Sequence, residues 1–310
     1  MKVLVTGGAG FIGSHVVEAY LGSGYEVIVV DNLSSGNLQN LPGDVKFYLL
    51  DICSPELEKI YEIEKPDFVN HHAAQISVSL STRNPILDSR INSQGLLNIL
   101  ENSVRYHIKK FIFISTGGAI YGEADVMPTA EDYPPQPLSP YGIHKYLGEH
   151  YLRFYAQQYG LSYTVLRYAN VYGPRQNPHG EAGVVAIFFD QLLNDKTPTI
   201  YSYPEDQDGM VRDYVYVEDI ARANLPATDK GTGEVINIGT GIPTTTGSLY
   251  REISGTLKVN REPKRGKPRA GDLRKSCLDI TKAKRILDWT PSMNLHEGIS
   301  KTELFFAQKR

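Results

Sequence analysis

Short apolar runs alternate with longer stretches of helical periodicity through the first half of the chain. Six runs predict buried strands, at Val3–Thr6, Glu26–Val30, Val45–Leu50, Phe68–His71, Lys110–Ser115 and Tyr163–Tyr168. Four stretches between them predict helices, at Phe11–Leu21, Pro55–Glu64, Ile86–Tyr106 and Tyr141–Tyr159. Strands that are apolar throughout and separated by helices are typical of a parallel sheet covered on both faces. The pattern therefore predicts a doubly wound α/β fold.

The regular alternation ends after about residue 168. A stretch containing glycine and proline, 172–183, precedes a predicted helix at Val184–Leu193, and a polar segment, 197–209, follows. Four later segments predict two strands and two helices, at Val211–Val217, Glu234–Ile238, Asp219–Leu225 and Thr281–Leu287. Eight Lys or Arg residues among prolines and glycines predict an exposed loop over 258–275.

We expect the strand at Glu234–Ile238 to return to the first sheet, which makes the division of the chain discontinuous. The predicted nucleotide lobe comprises 1–170 and about 213–238. The predicted substrate-binding lobe, the smaller one, comprises 171–212 and 239–310.

Composition narrows the class of protein. The 310 residues include 35 acidic and 32 basic side chains, a net charge of −3, so neither nucleic acid nor an acidic membrane surface is expected as a partner. No apolar run approaches the roughly 18–20 residues of a membrane span, and a strand pattern begins at Lys2 with no signal peptide before it. Cys53 and Cys277 are too few and too distant for a disulfide framework, and the histidines lack metal-ligand spacing. We expect a soluble, cytoplasmic protein without a metal site.

A glycine-rich segment between the first strand and the first helix carries the strongest local signal. Gly7, Gly10 and Gly13 are spaced G-x-x-G-x-x-G, which suits a tight turn close to a dinucleotide pyrophosphate at a helix N-terminus. Asp31 ends the second strand, 18 positions after Gly13, where a carboxylate binds an adenosine ribose. A carboxylate there repels a 2′-phosphate, so the segment predicts NAD rather than NADP and a Rossmann-like nucleotide lobe.

Tyr141 and Lys145 have the spacing Tyr-x-x-x-Lys on one face of a predicted helix. A lysine beside a tyrosine stabilises the phenolate and lowers its pKa, so the tyrosine can exchange a proton with a sugar hydroxyl. Two other pairs have the same spacing, Tyr61/Lys65 and Tyr106/Lys110. They lie late in their helices, at the sheet end away from the cofactor, and we interpret them as solvated helix faces. Tyr141 and Lys145 are therefore the predicted catalytic pair.

A strand ending in Ser115-Thr116 supplies candidate hydroxyls at the carboxyl edge of the sheet, where ligands bind in such folds. His71 and His72 end another strand and are expected to line the cofactor crevice rather than to bind a metal. The row Tyr151, Phe154, Tyr155 and Tyr159 has helical spacing and is expected in the core or at a subunit interface.

The segments TGGAGFIG (6–13), SPYGIHK (139–145), LRYANVYGPR (166–175) and VRDYVYVED (211–219), in this order, resemble the extended short-chain dehydrogenase/reductase superfamily, and within it the UDP-glucose 4-epimerases. The resemblance covers essentially the whole chain. It implies that NAD transiently oxidises C4 of a UDP-hexose to a 4-keto sugar and that the hydride returns to the opposite face. Family members commonly pair through the helix after Tyr141, which implies a homodimer.

The resemblance also assigns site residues. It implies Tyr141 as the base, Lys145 as its partner on the NAD ribose and Thr116 as the reactive hydroxyl. Besides Gly7, Gly10, Gly13, Tyr141 and Lys145, the residues implied for NAD are Phe11, Ile12, Asp31, Asn32, Ser35, Gly36, Asp51, Ile52, Ala73, Ala74, Gln75, Asn92 and Tyr168. Besides Thr116, those implied for the UDP-sugar are Asn170, Val184, Tyr201, Arg212, Arg269 and Asp272.

Two positions depart from the family pattern. Counting back from Tyr121 places Gly117 where the family has a reactive hydroxyl, so we align Thr116 there with one inserted residue and keep Ser115 as the alternative. Ser276 stands where relatives can carry a tyrosine that narrows the sugar pocket, and a small side chain there leaves room for a 2-acetamido group.

Two other functions are alternatives to epimerisation of UDP-glucose. The first is that of another nucleotide-sugar enzyme of the superfamily, a UDP-glucuronate epimerase or a 4,6-dehydratase. The dehydratase Asp-Glu pair is replaced here by Gly117-Gly118, so the elimination machinery is missing. A non-catalytic NAD-sensing module is the other, but such a module can lose the tyrosine or the lysine, and this chain has both.

Overall fold

A computed structural model describes residues 1–178, 183–268 and 272–308. Its strands are β1 (Lys2–Thr6), β2 (Glu26–Asp31), β3 (Lys46–Leu49), β4 (Phe68–His71), β5 (Lys110–Thr116), β6 (Tyr163–Tyr168), β7 (Asn170–Tyr172), β8 (Thr199–Tyr201), β9 (Val211–Tyr216), β10 (Glu234–Ile238), β11 (Pro243–Thr245) and β12 (Lys264–Gly266). Seven of them form one parallel sheet in the order β10-β6-β5-β4-β1-β2-β3. The predicted doubly wound sheet is confirmed, including the return of Glu234–Ile238 beside β6.

The α-helices are α1 (Phe11–Gly22), α2 (Leu57–Glu64), α3 (Val78–Arg83), α4 (Pro85–Ser89), α5 (Leu96–Arg105), α6 (Gly117–Ile120), α7 (Pro140–Tyr159), α8 (Val184–Leu193), α9 (Val217–Asn224), α10 (Thr246–Thr256), α11 (Thr281–Leu287) and α12 (Leu295–Gln308). Short 3₁₀ turns lie at Leu38–Asn40 and Pro226–Thr228. A π-helical turn, Arg90–Gly95, joins α4 to α5.

The central strands are buried on both faces, which explains their continuous apolar sequence. Every residue of β5 and β6 is buried, and separate apolar clusters pack on the two sides of the sheet. Helices form the outer layers, with α5 and α7 beside one another. This arrangement brings the carboxyl ends of β1, β4 and β5 together at one edge.

Two predictions of local structure were wrong. The single helix expected over Ile86–Tyr106 is divided by the π-helical turn, where one wider turn shifts the helical register. The loop expected over 258–275 contains β12, which pairs in parallel with β8. The apolar periodicity is too short at both places to reveal these features.

The second half of the chain adds two small sheets beside the large one. β11, β9 and β7 form a three-stranded sheet, and β12 and β8 form a pair. Aromatic side chains of α8, α10 and α12 pack with β7 and β9 in a separate apolar core, in which Phe189 and Phe306 are stacked at 5.4 Å. In the part of the chain that the structure describes, no helix combines the length and apolarity needed to cross a membrane.

Candidate active site

The glycine loop is packed so tightly that side chains cannot enter it. A Cβ on Gly13 would lie 2.2 Å from the backbone oxygen of Gly7. Gly7 has φ +69°, and a Cβ there would meet the backbone nitrogen of Ala73 at 2.6 Å. A contact shorter than about 3 Å requires the backbone to move, so glycine is required at both positions. Gly10 lies between them, and its amide donates to the Gly7 carbonyl at 3.1 Å.

Helix α1 begins directly after this loop, with Phe11 and Ile12 in its first turn. No side chain caps its N-terminus, where Gly10 is the capping residue. The first amides of a helix have no intrahelical acceptor and carry the positive end of the helix dipole. Together with the close approach at Gly13, this forms a cradle that fits a dinucleotide pyrophosphate.

Asp31 ends β2 beside the cradle and is 7% exposed. Its carboxylate accepts hydrogen bonds from the amides of Ala9, at 3.0 Å, and Leu33, at 2.8 Å. Burial raises the pKa of the Asp31 carboxyl, and these two amides oppose the change. Gly36 lies against the same carboxylate, since a Cβ there would be 3.0 Å from it. Asp31 therefore lies beside the glycine loop, at the strand end where the sequence predicted an acidic residue.

The other residues predicted at the adenosine end lie in the loops that follow β2 and β3. Asn32 is exposed and donates to the Asp51 carboxylate at 3.1 Å. The backbone amide of Cys53 holds the pKa of Asp51 below its usual value despite partial burial. Ile52 is buried, and Ser35 is exposed. The loops after β1, β2 and β3 thus lie at one edge of the parallel sheet, and we call the space beside the glycine loop at this edge the crevice.

The segment after β4 forms the next part of the crevice. Ala73, Ala74 and Gln75 follow His71 without regular structure. Gln75 and Asn92 exchange two hydrogen bonds, Gln75 N to Asn92 Oδ1 at 3.0 Å and Asn92 Nδ2 to Gln75 O at 2.8 Å. The π-helical turn thus places Asn92 against the strand end.

His71 and His72 are neutral groups in this region. Burial, with Lys145 adding to it, lowers the pKa of His71 well below its ordinary value and that of His72 to about 3. His72 Nε2 is buried and has no hydrogen-bond partner in the part of the chain that the structure describes, and its ring lies 6.2 Å from that of Tyr168. Tyr168 is buried in an apolar cluster on one side of the sheet, and its hydroxyl accepts from Asn224 Nδ2 at 2.7 Å.

Tyr141 and Lys145 lie one turn apart at the start of α7. Pro140 occupies the first turn of this helix, and the Ser139 side chain caps it by accepting from Gly142 N at 3.2 Å. Lys145 is 4% exposed, and its ammonium donates to the Ile114 carbonyl at 2.9 Å. The helix therefore anchors the pair against the carboxyl end of β5.

The expected lowering of the tyrosine pKa was wrong for this structure. Burial raises the pKa of Tyr141 to about 12, although the nearby Thr116 hydroxyl opposes the change. Burial also lowers the pKa of Lys145 to about 8. The lysine ammonium is engaged with the Ile114 carbonyl, so desolvation dominates at the phenol.

The two candidate hydroxyls of β5 point in opposite directions, as consecutive side chains of a strand do. Thr116 lies close enough to Tyr141 to oppose the rise in its pKa. Ser115 instead donates to Glu149 at 2.6 Å, and Glu149 is held by Arg167 in a buried ion pair. Thr116 is thus the hydroxyl beside the tyrosine, and Ser115 belongs to a structural network that sequence reasoning did not identify.

The two residues that follow β5 are constrained by packing. A Cβ on Gly117 would lie 2.4 Å from the Leu278 side chain, and one on Gly118 would lie 3.3 Å from Asn170 Oδ1. The carboxylate pair of a dehydratase does not fit at these positions without displacing Leu278.

The prediction that the other two Tyr-x-x-x-Lys pairs lie on solvated helix faces was wrong for one member of each pair. Tyr61 is fully buried, and its hydroxyl lies 3.0 Å from that of Ser103. Lys110 is 3% exposed and donates to the Lys230 carbonyl at 2.6 Å. Their partners are not in the interior, since Lys65 is exposed and Tyr106 is half-buried. Each pair is therefore divided between the interior and the surface, and Tyr141 and Lys145 remain the predicted catalytic pair.

The residues predicted for the sugar nucleotide come from separate segments. Asn170 begins β7, beside Gly118 and the Thr116 end of β5, and its buried Oδ1 has no hydrogen-bond partner among the residues that the structure describes. A buried acceptor with no donor is costly unless a ligand supplies one. Val184 begins α8 and is half-buried, and Tyr201 ends β8 with its ring over Gly266. Asn170 is the member of this set that points directly to a ligand.

Arg212 lies on β9 and donates to two backbone carbonyls, Val211 O at 2.8 Å and Leu273 O at 2.7 Å. Burial lowers the pKa of its guanidinium, while Tyr214 and Asp272 oppose the change, which places Asp272 within electrostatic reach. Arg269 lies outside the described residues. Ser276 is half-buried, and its amide donates to Val211 O at 3.0 Å, so it lines the strand that carries Arg212.

No group of three or more His, Cys, Asp and Glu side chains is arranged to hold a metal ion within 1–178, 183–268 and 272–308. Sequence reasoning missed Asp88 and the contact of its carboxylate with His144 Nδ1 next to the crevice. Asp88 lies in no motif, and His144 lies in the SPYGIHK segment without a role assigned to it; the packing of α4 against α7 brings the two together.

Comparison with known proteins gives consistent matches. A sequence model described as the NAD dependent epimerase/dehydratase family matches residues 3–239. The UDP-glucose 4-epimerase of Thermotoga maritima, crystallised with UDP-glucose, is 53% identical with a TM-score of 0.97, covering 100% of this chain and 99% of that one. The Thermus thermophilus UDP-glucose 4-epimerase complex with NAD is 44% identical, with a TM-score of 0.94 and 99% coverage of both. The UDP-glucose 4-epimerase of Mycolicibacterium smegmatis is 42% identical over 318 residues, covering 100% of this chain and 99% of the relative.

The family match spans most of the chain, including the glycine loop and the Tyr141–Lys145 pair. It confirms the extended short-chain dehydrogenase/reductase assignment and NAD as the cofactor. The chain belongs to the NAD dependent epimerase/dehydratase family.

Proposed function

We propose that this chain interconverts UDP-glucose and UDP-galactose by epimerisation at C4 of the hexose. The observation that carries the proposal is the convergence of Tyr141, Thr116 and Lys145 between the glycine cradle and the buried Asn170 oxygen, which has no partner within 1–178, 183–268 and 272–308. A site with a dinucleotide cradle on one side and an unsatisfied acceptor on the other suits redox chemistry on a hydroxylated ligand. The two relatives from Mycolicibacterium smegmatis and Thermotoga maritima align with this chain over 99% of their length, and both are named UDP-glucose 4-epimerase.

Each residue has a definite task in this proposal. Tyr141 takes the proton of the C4 hydroxyl and returns it, and Thr116 donates to the phenolate and fixes its orientation. Lys145, held by the Ile114 carbonyl, stays close to the ribose side of the crevice. NAD, when bound, would accept a hydride from C4 and return it.

Residues at the two ends bind the remaining parts of the ligands. At the cofactor end, the glycine cradle and Asp31 hold the pyrophosphate and the adenosine ribose. At the sugar end, Arg212 offers a guanidinium to the UDP diphosphate, with Asp272 nearby, and Asn170 binds a hydroxyl or amide of the ligand. The lobes have the boundaries given above, 1–170 with about 213–238, and 171–212 with 239–310.

The functional unit of this proposal is a homodimer in a reducing compartment, the cytoplasm. Helices α4 and α7 pack together and carry exposed apolar side chains, among them Ile86 (81% exposed), Phe154 (51%) and Tyr159 (52%). Such a surface suits association with a second copy. Cys53 and Cys277 are unpaired, which suits a reducing compartment. Light scattering that returns the mass of a single chain would exclude the dimer.

Purified chain, assayed with UDP-glucose and UDP-galactose by chromatography, tests the function. Conversion in both directions is expected, and the Tyr141→Phe variant should lose about a thousandfold in kcat while it retains its NAD. Unchanged conversion by Tyr141→Phe contradicts the assigned base. Absence of any conversion by the parent chain, with NAD bound, contradicts the function itself.

Ser276 supports a second activity, on UDP-N-acetylhexosamines. Its small side chain lies on the segment that pairs with β9, half-buried beside the strand of Arg212. Substitution Ser276→Tyr should abolish turnover of UDP-N-acetylglucosamine and leave that of UDP-glucose within a few fold. A parent chain that epimerises UDP-glucose but not UDP-N-acetylglucosamine contradicts this extension.

A further inference from the structure

Asp88 is a buried carboxylate next to the proposed catalytic centre, and neither the sequence motifs nor the proposed mechanism use it. It lies on α4 and is 0% exposed. One oxygen, Oδ1, accepts from Gln75 Nε2 at 2.6 Å and from Asn92 Nδ2 at 3.0 Å. These are the two amides that form the crevice after β4. A charge so deeply buried is costly unless several groups engage it, and here two amides share one oxygen.

The other oxygen, Oδ2, is paired with His144 Nδ1. His144 precedes Lys145 on α7, and its side chain is 15% exposed. The pair therefore ties α4 to the helix turn that carries Tyr141 and Lys145. It also links that turn, through Asp88, to Gln75 and Asn92 on the opposite side of the crevice.

The Asp88 charge reaches both members of the proposed catalytic pair. Burial raises the pKa of Tyr141 to about 12, and Asp88 acts in the same direction. Burial lowers the pKa of Lys145 to about 8, and Asp88 opposes that change. A negative charge nearby favours the protonated form of each group.

We propose that Asp88, paired with His144, is a positioning residue for the Tyr141–Lys145 centre. Its carboxylate fixes the Gln75 and Asn92 amides at the crevice and supplies the negative charge that faces the Lys145 ammonium. This rests on the proposed function, because the consequence for turnover requires Tyr141 and Lys145 to handle the proton. The two tasks are separable, since one depends on hydrogen bonds and the other on charge.

The groups around Asp88 restrict the interpretation of a pH effect. From α7, the titratable groups that face it are Tyr141, His144 and Lys145. The charged residues of the adjoining segments, Arg83 at the end of α3 and Arg90 in the π-helical turn, are both exposed. A change of charge at Asp88 therefore acts mainly on the α7 groups.

The experiment compares the pH profile of kcat/KM, the NAD retained after dialysis and the unfolding midpoint across matched variants. Asp88→Asn keeps the shape and the hydrogen bonds, because its amide can donate to a neutral His144, but removes the charge. Both limbs of the profile should move by about one pH unit in the acid direction, with NAD retention close to that of the parent. Asp88→Ala removes the acceptor as well and should reduce retained NAD severalfold.

Two further variants keep the test decisive. His144→Ala leaves the carboxylate without its imidazole partner and should move the limbs in the alkaline direction, by less than Asp88→Asn moves them. His150→Ala changes an exposed histidine of the same helix and should leave profile and retention unchanged. A lower rate and a lower unfolding midpoint with the parent's pH limbs, in both Asp88→Asn and His144→Ala, overturns the positioning role.

The NAD measurement separates this inference from the proposed function. If the parent chain fails to epimerise UDP-sugars, the function is wrong, and retention in Asp88→Ala still tests whether Asp88 organises the crevice. If the parent is active and Asp88→Ala retains NAD fully, the inference is wrong and the function stands.

Discussion

The cofactor end and the sugar end of the site are built in different ways. The cofactor end is a contiguous turn, 7–13, together with Asp31 at the next strand end, and it depends on backbone packing in which a Cβ on Gly13 would lie 2.2 Å from the Gly7 oxygen. The sugar end gathers single side chains, Asn170, Arg212 and Asp272, from separate segments. Substitutions at the cofactor end should therefore disrupt the folded glycine loop and release NAD. Substitutions at the sugar end should weaken binding of the UDP-sugar by degrees.

The largest effect of a substitution on NAD retention and stability is expected at Gly13. Gly13→Ala forces the turn apart, because a Cβ there meets backbone that cannot swing away, and should release most of the bound NAD and destabilise the fold by about 1–3 kcal/mol. Gly22→Ala is the matched control on the same helix, where a Cβ would meet nothing within 4 Å. It should change the unfolding free energy by less than about 1 kcal/mol and retain NAD, as measured by denaturant titration and absorbance of released nucleotide. Equal NAD retention in Gly13→Ala and Gly22→Ala would contradict the role of the glycine cradle in binding NAD.

A second test lies where the two ends meet. Thr116→Val removes the hydroxyl beside Tyr141, which in our proposal donates to the phenolate. It should lower kcat about ten- to a hundredfold, because a hydrogen bond to a charged group contributes about 1.5–3 kcal/mol. Ser115→Ala is the control one residue away, whose hydroxyl bonds to Glu149 on the other side. Ser115→Ala should lower the free energy of unfolding, and it should lower kcat less than Thr116→Val does. The reverse ranking in steady-state assays would make Ser115 the reactive hydroxyl.

A graded effect is expected at the sugar end. Arg212→Lys keeps the charge but loses the planar guanidinium that spans Val211 O and Leu273 O, so KM for the UDP-sugar should rise about tenfold. NAD retention should not change, since Arg212 lies outside the cofactor crevice. Loss of NAD in this variant would show that the two ends are not independent.

The smallest effect concerns pH at the cofactor end. Burial raises the pKa of Asp31, so its carboxylate becomes protonated at a higher pH than an ordinary aspartate, whose pKa is about 3.9. NAD retention should fall as the pH decreases through that raised value, because the protonated group no longer accepts a hydroxyl donor as well. Asp31→Asn should retain less NAD at neutral pH and lose this acid dependence. A parent retention curve that stays flat down to about pH 4 would contradict the ribose role.

The same contrast explains what the sequence could predict. The glycine loop, Asp31 and the strands of the parallel sheet follow from local pattern, and the structure has them as predicted. The direction of the Tyr141 pKa does not follow from the motif, because burial outweighs a lysine that is held by the Ile114 carbonyl. The Asp88–His144 pair depends on helix packing and on a π-helical turn that periodicity cannot reveal.

Transfer of deuterium at C4 tests the central claim most directly. When the purified chain converts UDP-glucose labelled with deuterium at C4 in ordinary water, the UDP-galactose should retain the label at C4, because the hydrogen leaves and returns within one site. Unlabelled substrate turned over in heavy water should acquire no deuterium at that carbon. Loss of the label to solvent, or its uptake from heavy water, would contradict removal and return of a hydride and would assign this site a different chemistry.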